Sequence, residues 1–255
     1  RIAAGHAEVI LPAPAGVDPA FWQPDAATVL AYQQADLVLL NGAGYAKWLS
    51  RVSLPRRKQV DTSAAFRDRY LRVSQDVTHS HGREGDHSHS GVAFTTWLDF
   101  SLAAEQARAV ATALGRLRPQ LAAVFDDNLE KLQQDLLALD RQMRDLVAAD
   151  PRRALLASYP VYQYMKHRYG MNLVSVMWEP DVLPGASEWT QLQSLAKQHP
   201  AKWMLWEYQP MLETSERLGM LGVSSLVFEP CGNRPDNGDF ISVMQRNIHN
   251  LKQAF

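Results

Sequence analysis

Residues 154–177 read ALLASYPVYQYMKHRYGMNLVSVM, and the order of apolar and polar residues in this segment indicates the fold class. Both ends are short apolar runs of the kind that form buried strands. The middle predicts a short helix that ends at Gly170, because a left-handed helix cap favours glycine. A strand, a helix and a second strand in this order form a unit of parallel sheet, so the stretch predicts an α/β fold.

The same alternation continues to the end of the chain. Further apolar runs predict strands at 203–206 and 225–228, and helical patterns lie at 188–198, 212–220 and 240–254. These strands are apolar throughout, as expected when helices cover both faces of a parallel sheet. The second half of the chain is therefore predicted to be one α/β lobe.

The first part of the chain repeats this scheme with fewer elements. Strands are predicted at 9–11, 37–40 and 59–60, with helices at 25–34 and 44–49. These elements predict a second α/β lobe.

Between the two halves lies the most regular apolar pattern in the sequence. Its members, spaced alternately four and three residues apart, are Phe125, Leu129, Leu132, Leu136, Leu139, Met143 and Leu146. The spacing predicts an amphipathic helix from Pro119 to Ala148, about 45 Å long. We interpret it as a rigid connector between the lobes, with a coiled-coil dimer seam as the alternative.

The predicted organisation follows from these patterns. An N-terminal α/β lobe covers residues 1–117, a linking helix covers 118–149 and a C-terminal α/β lobe covers 150–255. The fold class is therefore two lobes of mainly parallel sheet flanked by helices and bridged by one long helix.

Composition excludes several classes of protein. The chain has 255 residues, 26 Lys and Arg against 27 Asp and Glu, and a net charge of −1, which argues against a nucleic-acid-binding surface. A hydrophobic fraction of 46% is enough to bury a core. No apolar run reaches the roughly 18 residues of a membrane-spanning helix. The single cysteine, Cys231, excludes an internal disulfide and a four-thiolate zinc site.

A histidine-rich segment is the first candidate for chemistry. The segment 79–91 reads HSHGREGDHSHSG and contains His79, His81, His87 and His89. Its three glycines predict a flexible loop rather than a strand or a helix. Imidazole nitrogens are good ligands for zinc and related ions, so the segment predicts adaptable metal binding. The alternative is a solvated polar loop.

The second candidate lies at the ends of the C-terminal strands. Four predicted strands are followed by a carboxylate or a phenol, and these residues are Tyr159, Glu179, Glu207 and Glu229. In open α/β sheets, ligands bind beyond the carboxyl ends of the strands. Clustered carboxylates bind a cation or raise one another's pKa. The alternative is that each glutamate caps a helix or faces water.

An enzyme is the least supported interpretation. The glycines at 41–44 lack the third glycine of a dinucleotide fingerprint, since Lys47 stands in its place. Glu179, Glu207 or Cys231 would have to act in catalysis, but no pattern pairs a nucleophile with a base. We therefore predict that the protein is not an enzyme.

Several segments resemble one known family, the zinc/manganese solute-binding proteins of bacterial ABC importers. The similar segments are 15–24 (AGVDPAFWQP), 35–42 (ADLVLLNG), 95–99 (TTWLD), 162–164, 168–170 and the closing helix around Asn247. The resemblance implies two α/β lobes, one long bridging helix and a metal held between the lobes. It also implies a periplasmic location and an ABC permease in the inner membrane as partner.

The chain departs from this family in two respects. At three positions where the resemblance implies a histidine ligand, the chain has Ala20, Thr95 and Tyr159, and only Glu229 retains a suitable group. The family also has a strand and a helix before the position of Arg1. We therefore expect the chain to be shortened at its start or incompletely represented, and a signal segment to be missing from it.

Taken with the resemblance, the sequence predicts a periplasmic solute-binding protein that acts as a monomer and binds no nucleic acid. The expected cargo is a divalent transition metal, with Zn²⁺ ahead of Mn²⁺ or Fe. The expected ligands are the four loop histidines with Glu229, Glu207 and Tyr159. The alternatives are ferric iron, a metal chelate or a small organic ligand on the same fold, and a metallochaperone or sensor without a transporter.

Overall fold

The structure is a computed structural model that describes residues 1–73, 78–80, 86–88 and 91–255. Within these ranges the chain forms two compact units. Unit 1 consists of Arg1–Leu137 and Gly232–Arg234, and unit 2 consists of Ala138–Cys231 and Pro235–Phe255. The two units divide within the long helix, between Leu137 and Ala138, so they do not test a separate linking segment. The predicted division into 1–117, 118–149 and 150–255 therefore stays a prediction.

Unit 2 contains a parallel sheet flanked by helices. Its strands are β7 (Leu155–Ala157), β8 (Leu173–Ser175), β9 (Trp203–Trp206) and β10 (Ser224–Val227), in the order β10-β9-β7-β8. Its helices are α4 (Gln163–Tyr169), α5 (Ala186–Gln198), α6 (Leu212–Met220) and α7 (Phe240–Leu251). The predicted strands and helices of this half are confirmed, with ends that differ by up to three residues.

Unit 1 is built around a smaller parallel pair. Here β1 (Val38–Leu40) pairs with β2 (Gln59–Asp61), and α1 (Ala26–Gln34) and α2 (Phe100–Leu117) accompany them. Two antiparallel pairs follow, β3 (Arg72–Val73) with β6 (Gly91–Val92) and β4 (Thr78–Ser80) with β5 (Asp86–Ser88). The α/β prediction is therefore confirmed for this unit as well.

Two predictions for unit 1 are wrong. Residues 9–11 do not form a strand, and their side chains are 77, 66 and 41% exposed. Apolar residues alone do not make a strand, because the backbone also needs a neighbour to pair with. The predicted helix at 44–49 is a 3₁₀ helix at Lys47–Arg51, since Ala43 and Gly44 adopt positive φ angles of 51° and 74° that no helix accommodates.

The long helix is confirmed as α3 (Ala122–Ala149), after a 3₁₀ turn at Pro119–Leu121. Most of the predicted apolar stripe is buried, as Phe125, Leu139 and Met143 show with at most 1% exposure. Among the described residues, no helix is both long enough and apolar enough to cross a bilayer.

The C-terminal half of α3 is fixed to α4 by a buried carboxylate. Asp140 is fully buried, and Arg168 donates two hydrogen bonds of 3.0 Å to it, with Arg144 and the Tyr169 hydroxyl as further donors. Burial raises the pKa of Asp140, but hydrogen bonds from the two arginines outweigh burial and hold the pKa below its usual value. A buried charge with this many partners fixes one helix relative to the next.

Candidate functional site

The carboxyl edge of the unit 2 sheet carries the residues predicted from strand ends. Tyr159, Glu179, Glu207 and Glu229 follow β7, β8, β9 and β10 within one to four residues. Because these strands are parallel, all four residues follow the same edge of one sheet. The shared edge confirms the strand-end pattern, while the role of these residues as ligands stays a prediction.

Asn247, on α7, holds the backbone of Glu229 in place. Its side-chain amide donates to the Glu229 carbonyl at 2.7 Å, and its side-chain carbonyl accepts from the Glu229 N–H at 3.1 Å. Asn247 is only 3% exposed, so both bonds are protected from water. Sequence reasoning noted Asn247 only as part of a resemblance and gave it no role in positioning Glu229.

Tyr162 fixes the end of β10 from the other side. Its hydroxyl donates to the Phe228 carbonyl at 2.7 Å, and the ring packs edge-on against Phe228. Burial, with a smaller contribution from the charge of Glu207, raises the pKa of Tyr162 well above its usual value. The phenol is therefore neutral and acts as a donor that fixes the strand end beside Glu229.

The surroundings of Cys231 favour the protonated form of its thiol. Its thiol donates to Glu229 Oε1 at 3.8 Å. Burial and the nearby Glu229 carboxylate raise the pKa of the Cys231 thiol to about 12. Since the thiolate is the nucleophile and the metal ligand, this neutral thiol argues against the enzyme alternative in which Cys231 is catalytic.

The corresponding edge of unit 1 is a closed hydrogen-bond network. The Gln106 side-chain nitrogen lies 2.9 Å from Asn41 Oδ1 and 3.1 Å from Thr62 Oγ1, and Thr96 Oγ1 donates to Gln106 Oε1 at 3.1 Å. Asn41 and Thr62 follow β1 and β2, so Gln106 joins both strand ends to the segment at 94–96. No sequence signal indicated this role, because Gln106 is one of several polar residues on α2.

Asp61 and Ser63 extend this network. The Ser63 backbone N–H and hydroxyl donate to Asp61 Oδ1 at 3.0 and 2.8 Å, and Arg67 donates to Asp61 Oδ2 at 2.6 Å. Gly42 approaches so closely that an added Cβ would lie 1.9 Å from Ser63 Oγ. Gly42 also has a φ of +80°, which only glycine adopts without strain.

The two positions of unit 1 at which the resemblance implies histidine lie among aromatic rings. Ala20 and Thr95 are 0 and 4% exposed. Their neighbours Phe21 and Phe94 contact each other edge-on, with ring centroids 6.4 Å apart, and Tyr45 packs on Phe94 at 5.3 Å. An apolar methyl group and a hydroxyl in such surroundings cannot replace two imidazole ligands.

Lys47 adds a positive charge to this aromatic cluster. Its Nζ lies 3.9 Å from the centroid of the Phe21 ring, within the range of a cation–π contact. Burial lowers the pKa of Lys47, and the charge of Asp18 opposes this shift. Sequence reasoning considered Lys47 only as the residue that breaks a glycine motif.

The histidine-rich segment is described only in part. Residues 78–80 and 86–88 form an antiparallel pair in which His79 is the register partner of His87. The prediction that the segment contains no strand is therefore wrong for these residues, since backbone pairing can form strands from short polar runs that carry no apolar periodicity. His81 and His89 lie outside the described residues.

Across the described parts of the chain, no three His, Cys, Asp or Glu side chains are grouped so that they could hold a metal ion. Glu179, Glu207 and Glu229 are therefore not grouped in this way. The seven-residue ligand set predicted from sequence stays a prediction, because two of its members lie beyond the described ranges.

The chain was compared with known families and proteins. The model of the family "ZnuA: Zinc-uptake complex component A periplasmic" matches residues 1–254. The zinc-binding lipoprotein AdcA of Streptococcus pneumoniae serotype 4 is 23% identical over 265 residues, which cover all of this chain and 52% of AdcA. The chain thus spans about half the length of AdcA.

Two further relatives extend the comparison. The high-affinity zinc uptake system protein ZnuA of Bacillus subtilis is 22% identical over 270 residues, covering all of this chain and 82% of that protein. The manganese-binding lipoprotein MntA of Halalkalibacterium halodurans is 26% identical over 181 residues, covering 70% of this chain and 56% of that protein.

Solved structures share the fold. The Zn(II)-bound ZnuA-like domain of Streptococcus pneumoniae AdcA superposes with a TM-score of 0.83 at 19% identity, covering 99% of this chain and 92% of that domain. A second crystal structure, titled ZnuA, gives a TM-score of 0.77 at 20% identity, with coverage of 99 and 92%. These likenesses confirm the predicted α/β fold. Together with the match over residues 1–254, they support one conclusion: the chain belongs to the ZnuA family of periplasmic zinc-uptake components, as the sequence resemblance predicted.

Proposed function

We propose that the protein is the solute-binding component of an ABC importer that captures a divalent transition metal, with zinc as the favoured cargo, and delivers it to a membrane permease. The observation that carries this proposal is the family match over residues 1–254. Relatives named for binding zinc support zinc, and one relative named for binding manganese supports manganese as the second candidate. A periplasmic location belongs to the same proposal.

The chemistry of capture rests on the histidine-rich segment. Because Ala20, Thr95 and Tyr159 carry no imidazole, the nitrogen ligands that zinc prefers must come from elsewhere in the chain. The chain has eight histidines, and four of them fall within residues 79–89. The pairing of His79 with His87 in one antiparallel ladder brings two of these positions together on the backbone.

The strand-end residues take a supporting role in this proposal. Glu229 is held at the sheet edge by Asn247 through its backbone, which leaves its carboxylate to contact the weakly acidic Cys231 thiol. A carboxylate can complete a zinc shell that is otherwise made of imidazoles. Glu207 and Tyr159 follow neighbouring strands of the same sheet and are the next candidates.

The proposal includes no chemical step on the cargo. The family and the structural neighbours named above are transport or metal-binding proteins. We propose that this protein likewise binds and releases its cargo without catalysis.

Isothermal titration calorimetry with ZnCl₂ tests the proposal. Replacing His79, His81, His87 and His89 with alanine should weaken zinc binding by about 100-fold or more, since primary ligands are lost. A matched control replaces His167 and His249, two exposed histidines on helices of unit 2, and should bind zinc like the wild type. Equal affinity in the fourfold variant would remove the histidine-rich segment from the proposal, and a wild-type protein that binds no zinc would refute zinc as cargo.

A second candidate cargo is a metal chelate, ferric iron or a small organic solute. The observation that favours it is the aromatic cluster of Phe21, Phe94 and Tyr45 beside Ala20 and Thr95, where the family resemblance implies imidazoles. Aromatic walls with a few polar groups suit organic ligands better than bare ions. A thermal-shift comparison of Zn²⁺ with ferric chelates separates the two, because a tight ligand raises the melting temperature by mass action.

A further inference from the structure

Five large apolar side chains of unit 2 are exposed on the loop from β8 to α5, on the loop from β9 to α6 and at the first residue of α6. They form what we call the apolar patch: Val182, Leu183, Tyr208, Met211 and Leu212, which are 56, 44, 52, 39 and 74% exposed. Grouped apolar residues on a surface mark an interaction site more often than single ones do.

The two loops are joined to each other. The Met211 N–H donates to the Pro180 carbonyl at 2.9 Å. In the sheet, β7 lies between β8 and β9, so this bond connects loops that follow two non-adjacent strands. The apolar patch is therefore one surface built from two chain segments.

The segments that carry the apolar patch are acidic. Residues 177–190 and 206–217 contain one arginine, Arg217, which lies 4.2 Å from the centroid of the Trp189 ring. Their six carboxylates are Glu179, Asp181, Glu188, Glu207, Glu213 and Glu216. The whole chain has nearly balanced charge, so this local excess is a property of these loops. An apolar centre with an acidic surround fits a partner face that is apolar and surrounded by Lys or Arg.

The position of the apolar patch connects it with cargo transfer. The same two loops carry Glu179 and Glu207 at the carboxyl edge of the sheet, where the strand-end residues lie. A partner that receives the cargo must approach this edge of the unit.

We propose that the apolar patch is the surface through which unit 2 docks on the periplasmic face of the ABC permease, at a site that is apolar in the centre and basic around it. This inference rests on the proposed function. The acidic surround disfavours two other occupants, because it repels anionic lipid headgroups and it repels the identical surround of a second copy in a symmetric dimer.

The chain offers a matched control on one helix. Leu212 and Met220 are the first and last residues of α6, and they are 74 and 80% exposed. Only Leu212 belongs to the apolar patch. The test variant is V182S/L212S and the control variant is M220S, with circular dichroism to show that both keep the wild-type fold.

The experiment measures the affinity of each protein for its cognate permease in nanodiscs, and zinc binding separately by calorimetry. V182S/L212S should bind the permease about tenfold more weakly or worse, since apolar anchors dominate such interfaces. M220S should bind like the wild type, and all three proteins should bind zinc equally. Raising the NaCl concentration should weaken docking of the wild type.

Two results would overturn the docking surface: equal permease affinity for V182S/L212S and wild type, or a wild-type dimer that V182S/L212S converts to monomer. The latter result would assign the surface to self-association. A wild-type protein that binds the permease but no zinc would refute the proposed cargo and leave the docking result standing. The two proposals can therefore fail separately.

Discussion

The polar side chains near the carboxyl edges of the two sheets differ in their hydrogen bonding. In unit 1, Gln106 joins Asn41, Thr62 and Thr96 in one network. In unit 2, by contrast, Ser158 Oγ, Trp206 Nε1 and Thr214 Oγ1 are buried without a hydrogen-bond partner within the described parts of the chain.

This difference separates an edge whose polar groups bond to one another from an edge where some polar groups have no protein partner among the described residues. Buried polar groups in native proteins are nearly always hydrogen-bonded to protein or water. At the unit 1 edge, Gln106 bonds to the polar groups that follow both strands. At the unit 2 edge, Ser158 and Trp206 directly precede Tyr159 and Glu207, and each has a buried polar atom without a partner among the described residues. A position at a strand end indicates where a polar side chain can meet a ligand. The neighbouring side chains decide whether that polar group is instead hydrogen-bonded within the protein.

The largest expected effect is on the closed edge of unit 1. We expect G42A to lose about 4 kcal/mol of unfolding free energy, because a left-handed alanine is strained and its Cβ would overlap Ser63 Oγ and Asp61 Oδ1. The control G44A has a similar positive φ of +74° but no atom within 4 Å of its Cβ, and it should lose only about 1 kcal/mol. Urea unfolding measures both, and equal losses would show that the close approach does not matter.

The next largest expected loss of unfolding free energy comes from breaking the buried ion pairs of unit 2. D140N should lose about 3 kcal/mol, since it leaves Arg168 and Arg144 beside a neutral group in a buried site. D135N is the control on the same helix, because the exposed Arg1–Asp135 pair should contribute less than about 1 kcal/mol.

The pH dependence of stability follows from the lowered pKa of Asp140. The unfolded pKa is about 3.9, so the stabilisation is fully present above that value and is lost as the pH falls through the lower folded pKa. Acid unfolding of D140N should therefore lack this component below about pH 4. An identical acid profile in the wild type and D140N would contradict the assignment.

Two threonines, one in each unit, test the comparison of the two edges directly. T96V should lose about 1 to 2 kcal/mol, because it removes the donor to Gln106 Oε1 in a fully buried site. T214V should be neutral or gain up to about 1 kcal/mol, because the Thr214 hydroxyl is buried without a partner within the described residues. A loss in T214V as large as that in T96V would mean that the hydroxyl is bonded, for example to an ordered water.

The smallest expected effect is a change in thiol reactivity. E229Q should change stability by less than about 0.5 kcal/mol, since the carboxylate is half-buried and its contact with the Cys231 thiol is long, at 3.8 Å. The pKa of Cys231, about 12 in the wild type, should fall but stay above the ordinary thiol value, because burial is the larger cause of the shift. The pH dependence of thiol alkylation measures this, with E207Q as the control that should leave the pKa unchanged.

Most of the fold could be predicted because its helices and strands follow from local sequence patterns. The run at 203–206 and the helix at 212–220 were predicted with the bounds that the structure has. The error at residues 9–11 arose because strand formation also depends on a pairing partner that sequence order does not reveal.

The candidate site was less predictable. Strand-end positions identified Tyr159, Glu207 and Glu229, since periodicity locates the ends of strands. The roles of Gln106 and Asn247 could not be found in this way, because each reaches residues far away in sequence, up to 65 positions for Gln106 and Asn41.

By itself, the sequence determined the α/β class, the long helix, the family and the clustering of four histidines, because periodicity, composition and motif are local properties. The tertiary structure was needed to show which polar groups are hydrogen-bonded within the protein. It was also needed to show that the surroundings of Cys231 favour its protonated thiol, and that the loops after β8 and β9 are joined to each other. Those properties depend on burial and on distances between segments remote in the chain, and no linear pattern contains them.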